Sequence, residues 1–315
     1  MRVQLPRFPT PGVPKVDPPL LQQAVKVGAK RKRTLGIASY GDPDGKLLLW
    51  FHGTPGGRRQ FPMVGRRRAA ELGYHVVLVS RPGSGISTDH QYGAVAAWAE
   101  DVATVADHLG HEQFAVVGLS GGGPYALATA AGLPDRVTAT GILGGVCPLV
   151  GPDASGVPGG LIGLAGKFRM FLDPIRPVLG GLLFGVLQPI MPLGHFAYGQ
   201  FAGLMPEGDR KVFADPEIEG MFIDDIVDAS RSQFSAIAND IVLFSRDWGF
   251  RLGDIECPVR WWHGDADNFV PLGAAEHAVS VIPDAELFLR PGESHLGGFA
   301  VADQVLEVID SLWPT

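Results

Sequence analysis

Cysteine is scarce in this sequence. The 315 residues hold two, Cys147 and Cys257, and neither sits in a C-x-x-C pair. That excludes a disulfide framework and a thiolate zinc site, and it agrees with a reducing, cytoplasmic setting. Excess positive charge is lacking as well, because 26 Lys and Arg stand against 33 Asp and Glu for a formal net charge of -7. A nucleic-acid-binding face wants cations clustered over a whole surface, so a small-molecule substrate is expected and a nucleic-acid partner is not. A basic cluster at Lys26, Lys30, Arg31, Lys32 and Arg33 reads as a solvated linker face.

Long uninterrupted apolar runs are also missing. Pro6, Pro9, Pro11, Pro14, Pro18 and Pro19 cut the N-terminal stretch, which reads as an extended arm without the apolar core of a signal peptide. Between Arg176 and Glu207 there is no Asp, Glu, Lys or Arg, yet Pro189 and Pro192 divide that stretch. Its longest clean piece, Val178 to Leu187, falls far short of the ~20 apolar residues of a membrane span, so short buried helices are expected there and no transmembrane segment. No cofactor or metal site is read from the sequence. Oligomeric state is left open.

What is present is a regular alternation. With 46% hydrophobic residues the chain can bury a large core. Two strand-like runs in RTLGIASYGDPDGKLLLWFHG flank the turn residues Gly41 to Gly45, which predicts an opening hairpin. Then FPMVGRRRAAELG reads as helix, HVVLVS as buried strand, AVAAWAEDVATVADHLG as amphipathic helix and QFAVVGLS as buried strand. PYALATAAGL, VTATGILGG, PVRWWHG, EHAVSVI and AELFLRPG continue as helix, strand, strand, helix and strand. Continuous apolar strands separated by helices predict an α/β fold, a mostly parallel sheet covered on both faces with the hairpin as its antiparallel edge. Residues 150–245 break the rhythm and read as a helical insertion. The expected organisation is therefore an arm over 1–34, a first core part over 35–149, the insertion over 150–245 and a second core part over 246–315.

The chemistry concentrates in a few places. VVGLSGGG puts Ser120 between glycines at the junction of a strand and a helix, the context in which G-x-S-x-G lifts a serine above a sheet. Gly118 and Gly122 suit such a turn because a side chain would crowd it. A serine needs a base, and His295 in RPGESHLGGF follows a strand end, the sheet edge where open α/β folds place their sites. His52 and His263 read as loop-shaping residues. The base needs an orienting acid, and WWHGDADNFVP offers Asp265 and Asp267, of which Asp267 lies further into the loop. Backbone N–H groups of Thr54, in the loop after LLLWFHG, and of Gly121 are the candidate oxyanion donors.

Together these segments resemble the α/β-hydrolase family from about residue 35 to the C-terminus. The match runs in order through His52-Gly53-Thr54-Pro55, Arg81-Pro82-Gly83-Ser84-Gly85, Gly118 to Gly122, His263-Gly264-Asp265-Ala266-Asp267 and Gly292-Glu293-Ser294-His295. The resemblance implies Asp267 as the acid, a helical cap in the insertion, and a return to the core near Asp247-Trp248-Gly249-Phe250. Two departures stand out: Ser80 where an Asp is common, and Leu119 where many relatives carry His. Ser120 excludes the relatives that need an Asp nucleophile, the epoxide hydrolases and haloalkane dehalogenases.

The expected activity is hydrolysis of a carboxylic ester through an acyl-enzyme. The alternatives are a proline-iminopeptidase-like aminopeptidase, a C–C bond hydrolase or a perhydrolase on the same three residues, and a non-catalytic binding protein of the same fold. An aminopeptidase would want cap carboxylates for a free amine, and Asp215, Glu217, Glu219, Asp224 and Asp225 are candidates. For an apolar substrate, Phe184, Leu187, Met191, Phe196 and Tyr198 are the expected pocket residues.

Overall fold

The structure, a computed structural model, describes residues 16–157, 194–232 and 235–314. Eight strands form one sheet: β1 (Leu21–Val27), β2 (Arg33–Gly41), β3 (Lys46–Phe51), β4 (Tyr74–Val79), β5 (Phe114–Leu119), β6 (Val137–Leu143), β7 (Val259–Gly264) and β8 (Ala285–Arg290). Their spatial order is β1-β2-β4-β3-β5-β6-β7-β8. The first two joins, β1 to β2 and β2 to β4, are antiparallel, and all later joins are parallel. Every residue of β4 and of β5 is buried, as interior strands covered on both faces require.

The opening hairpin differs from the sequence expectation. β2 and β3 do not pair, because β4 lies between them and hydrogen-bonds to both. The hairpin partner of β2 is instead β1, drawn from the stretch read as an arm, with Leu21 opposite Ser39 and Val27 opposite Arg33. The physical reason lies in composition. β3 is buried at five of its six residues and belongs inside the sheet, whereas β1 buries only Val25 and Val27 and suits an edge.

Helices α1 (Met63–Glu71), α2 (Trp98–Leu109) and α3 (Gly123–Gly132) alternate with the early strands. Between β6 and β7 lie α4 (Gly194–Leu204), α5 (Glu207–Phe213), α6 (Pro216–Ala229) and α7 (Ser235–Phe244), followed later by α8 (Leu272–Val281) and α9 (Ala302–Ser311). One apolar cluster joins Trp98, Val102, Tyr125 and Ala275 to one face of the sheet. A second joins Ala69, Val305, Leu306 and Ile309 to the other. Among the described residues no helix is long and apolar enough to cross a membrane.

This order sets the site. The carboxyl ends of β3, β4, β5, β7 and β8 lead into His52–Thr54, Arg81, Ser120, Asp267 and His295. Because β3 and β5 are neighbours, the His52–Thr54 loop lies beside Ser120.

Candidate active site

Ser120 directly follows β5 with φ of 50°, a left-handed conformation uncommon outside glycine. The flanking glycines make the turn possible. A Cβ on Gly122 would lie 2.1 Å from the Phe51 carbonyl oxygen, and one on Gly118 would lie 2.5 Å from the Gly122 carbonyl oxygen. Ser120 Oγ is 2.7 Å from His295 Nε2, and His295 Nδ1 is 2.7 Å from Asp267 Oδ2. The carboxylate accepts from Nδ1–H, which leaves Nε2 as the acceptor for the serine hydroxyl. The three residues are each 6% exposed, so the chain of hydrogen bonds is sheltered from water.

Asp267 is held on its other oxygen too, where Oδ1 accepts the amides of Phe269 at 2.8 Å and Val270 at 2.9 Å. Burial opposes its ionisation. The bond and charge of His295, the Val270 amide and nearby His263 outweigh that penalty and hold the carboxyl below its ordinary value. Asp265 serves the loops instead, for its Oδ1 accepts the Gly292 amide at 2.8 Å and ties the loop of Asp267 to the loop of His295. The Phe269 ring stacks on His295 with centroids 5.0 Å apart.

His263 and His52 both sit in the interior with structural bonds. Trp261 Nε1 donates to His263 Nδ1, so His263 Nε2–H donates to the Val270 carbonyl at 2.9 Å. The Arg81 amide donates to His52 Nε2, and His52 Nδ1 donates to the Gly53 carbonyl at 2.8 Å. Burial lowers the pKa of each, and the Arg81 charge adds to the effect on His52. Both rings therefore stay neutral and shape loops. Burial and the Asp267 charge push the Cys147 thiol up, which removes it as a nucleophile.

The candidate oxyanion donors adjoin each other and the serine. A Cβ on Gly121 would come within 2.2 Å of Thr54 Oγ1, and one on Gly53 within 3.7 Å of Ser120 Cβ. Gly121 lies in the helical turn Ser120–Gly122 that leads into α3, where the first N–H groups have no acceptor within the helix. Such an arrangement of hydroxyl, imidazole and carboxylate can activate a serine.

A family model described as alpha/beta hydrolase fold matches residues 46–169. The chain has the α/β-hydrolase fold. Among curated relatives of this α/β hydrolase, a 2-hydroxy-6-oxo-6-phenylhexa-2,4-dienoate hydrolase of Burkholderia cepacia is 26% identical over 272 residues, 82% of this chain and 84% of that one. A proline iminopeptidase of Xanthomonas citri is 35% identical over 116 residues, 36% of each chain. A thermophilic esterase from Thermogutta terrifontis shares the fold, with a TM-score of 0.64 at 18% identity over 93% of this chain and 96% of that one.

The remaining expectations for this α/β hydrolase divide. Phe184, Leu187 and Met191 lie outside the described residues, and Phe196 is placed only by its backbone in α4. Tyr198 packs its ring on Phe213 and Phe222 and donates its hydroxyl to the Phe213 carbonyl, so it holds the inserted helices together. Four of the acidic candidates for amine recognition are engaged elsewhere. Asp215 caps α6, Glu217 pairs with Arg67, Asp224 pairs with Arg59, and Asp225 accepts the amides of Gly57 and Arg59. Ser80, the first departure, accepts the Arg58 amide and keeps its loop packed.

Asp209 is a site neighbour that the sequence does not single out. From α5 its buried carboxylate accepts the amide of Leu296, next to His295, and burial pushes its pKa up. No local motif marks it, because the contact spans 87 residues. Among the described residues no group of three or more His, Cys, Asp or Glu is placed to hold a metal ion.

Proposed function

We propose that this α/β hydrolase is a serine hydrolase that cleaves carboxylic esters through an acyl-enzyme, with Ser120 as nucleophile, His295 as base and Asp267 as orienting acid. The single observation that carries the reading is the unbroken series Ser120 Oγ, His295, Asp267, with both links at 2.7 Å. His295 takes the serine proton as Oγ attacks the ester carbonyl, and the N–H groups of Thr54 and Gly121 receive the negative oxygen. The imidazolium then protonates the departing alkoxide. Water, deprotonated by the same histidine, attacks the acyl-enzyme and releases the acid and free Ser120. In this reading residues 150–245 act as a cap over the site, and Phe184, Leu187, Met191, Phe196 and Tyr198 belong to its apolar lining or its support.

A second reading, C–C bond hydrolysis on the same residues, is favoured by the long match to the Burkholderia cepacia hydrolase. An aminopeptidase reading is weakened by the engagement of Asp215, Glu217, Asp224 and Asp225 in other contacts.

Steady-state kinetics on p-nitrophenyl esters of increasing acyl length, run beside amino-acid naphthylamides and a vinylogous C–C substrate, test the proposal. Each acyl methylene buried in an apolar cap contributes ~0.8 kcal/mol, so kcat/KM rises from acetyl towards medium chains. Highest kcat/KM on acetyl contradicts the apolar pocket. Turnover of the naphthylamides or the C–C substrate with none on esters contradicts the esterase assignment.

A further inference from the structure

Arg81 is almost wholly buried, 1% exposed at the side chain, and so is its counter-ion Asp240 on α7. A buried ion pair is weak as a device for stability, since desolvation offsets its attraction. Its placement is more informative than its strength. Arg81 Nη2 donates to the Gly53 carbonyl at 2.8 Å and to Thr54 Oγ1 at 2.7 Å, and Nη1 donates to the His52 carbonyl. Asp240 returns the grip: its Oδ2 accepts from Arg81 Nη2 at 2.8 Å and Nε at 3.1 Å, and from the Thr54 hydroxyl at 2.5 Å, while Oδ1 accepts from Tyr125 at 2.7 Å. One guanidinium thus holds two successive carbonyls of the loop that precedes the candidate oxyanion donor.

The peptide bond between Gly53 and Thr54 is planar and trans in the ordinary way, so its C=O and N–H point in opposite directions. Fixing the Gly53 carbonyl on the Arg81 side directs the Thr54 N–H away from Arg81. No acceptor within the described residues takes that N–H. We infer that Arg81 and Asp240 are positioning residues for the reaction, the pair that sets the Gly53–Thr54 peptide plane and so aims the oxyanion donor. Asp240 lies between β6 and β7, so the inserted helices complete the donor that the core strand β3 supplies. The inference rests on the serine-hydrolase reading and extends it to residues that never touch substrate.

The test uses the full chain with three changes: Arg81→Lys, Asp240→Asn and the double variant Arg81→Met/Asp240→Leu. The double variant removes the pair without leaving a buried charge, so it reports even where a single variant folds poorly. Each is measured for kcat and KM on a p-nitrophenyl ester, for inhibition by a trifluoromethyl ketone of the same acyl chain, and for inhibition by the product acid. The ketone forms an oxyanion on Ser120 and the acid does not depend on that step. Losing one oxyanion donor costs on the order of 10² to 10³ in kcat, and a misaimed donor should approach the lower figure. The expected result is a kcat loss of roughly 10- to 100-fold with KM within about threefold, and a matching loss of ketone affinity with acid inhibition unchanged. A double variant with wild-type kcat and ketone affinity overturns the inference and leaves the hydrolase reading standing. A wild type with no ester turnover and no adduct on Ser120 overturns the hydrolase reading and this inference with it.

Discussion

Asp209 Oδ1, on the inserted helix α5, accepts the amide of Leu296 at 2.8 Å, one residue past His295. The packing around it is close, since a Cβ on Gly208 would lie 2.9 Å from the Gly292 carbonyl oxygen. Asp209→Ala leaves the partly buried Leu296 N–H unpaired, which costs up to about 1–3 kcal/mol, and lets the histidine loop shift. We expect a roughly tenfold loss in kcat with a small change in KM, and near-normal rates for Asp209→Asn, which keeps an acceptor oxygen. Steady-state kinetics on a soluble ester reads both. A lowered melting temperature with unchanged kcat would mean that α5 only packs against the loop.

The two carboxylates of the acid loop should separate by orders of magnitude. Asp267 holds His295 Nδ1, whereas Asp265 holds the Gly292 amide. Losing the orienting carboxylate costs on the order of 10⁴ in kcat, so Asp267→Asn should fall by about that factor. Asp265→Asn keeps an oxygen acceptor and should lose less than about tenfold. Equal losses at the two positions would reverse the assignment.

These residues also mark what sequence reading can reach. Ser120 and His295 stand in short local motifs at strand ends, so pattern and order are enough to single them out, whereas Asp265 and Asp267 share one loop and the resemblance to the α/β hydrolases points to Asp267. The fold brings Ser120, His295 and Asp267 together. β4 and β5 are readable because strands covered on both faces are apolar throughout. β1 is not: LQQAVKV buries two residues and carries a polar exposed face, so it reads as arm. Nor can local pattern show that β4 separates β2 from β3, because strand order is decided by packing of the whole sheet. Arg81 and Asp240 lie 159 residues apart, and although Arg81 falls in one of the matched segments, nothing in either local sequence shows that the two pair.

Stability should carry a pH signature from Asp225. Its carboxylate accepts the amides of Gly57 at 2.8 Å and Arg59 at 2.9 Å. Burial raises its pKa to about 7, aided by Asp228 and Asp224, although the two amide bonds pull the other way. Arg58, Arg59 and Arg231 pair with those neighbouring acids. A carboxyl raised in the fold binds its proton more tightly there than in the unfolded chain. Its contribution is full below the ordinary carboxylate range and is lost as pH rises through about 7. Asp225→Asn cannot ionise, so the melting temperature of the wild type minus that of the variant should fall between about pH 5 and about pH 8. A difference that stays flat or rises over that window contradicts the assignment.

The central claim is that Ser120 is a nucleophile activated by His295. Intact-mass analysis after treatment with a fluorophosphonate measures it most directly, because the reagent reacts covalently with an activated serine. The account predicts a single adduct on the wild type, mapped to the peptide that holds Ser120, and none on Ser120→Ala. It also predicts labelling of His295→Ala slower by several orders of magnitude, since the hydroxyl then lacks its base. Undiminished labelling of Ser120→Ala, or no adduct on a folded wild type, would contradict it.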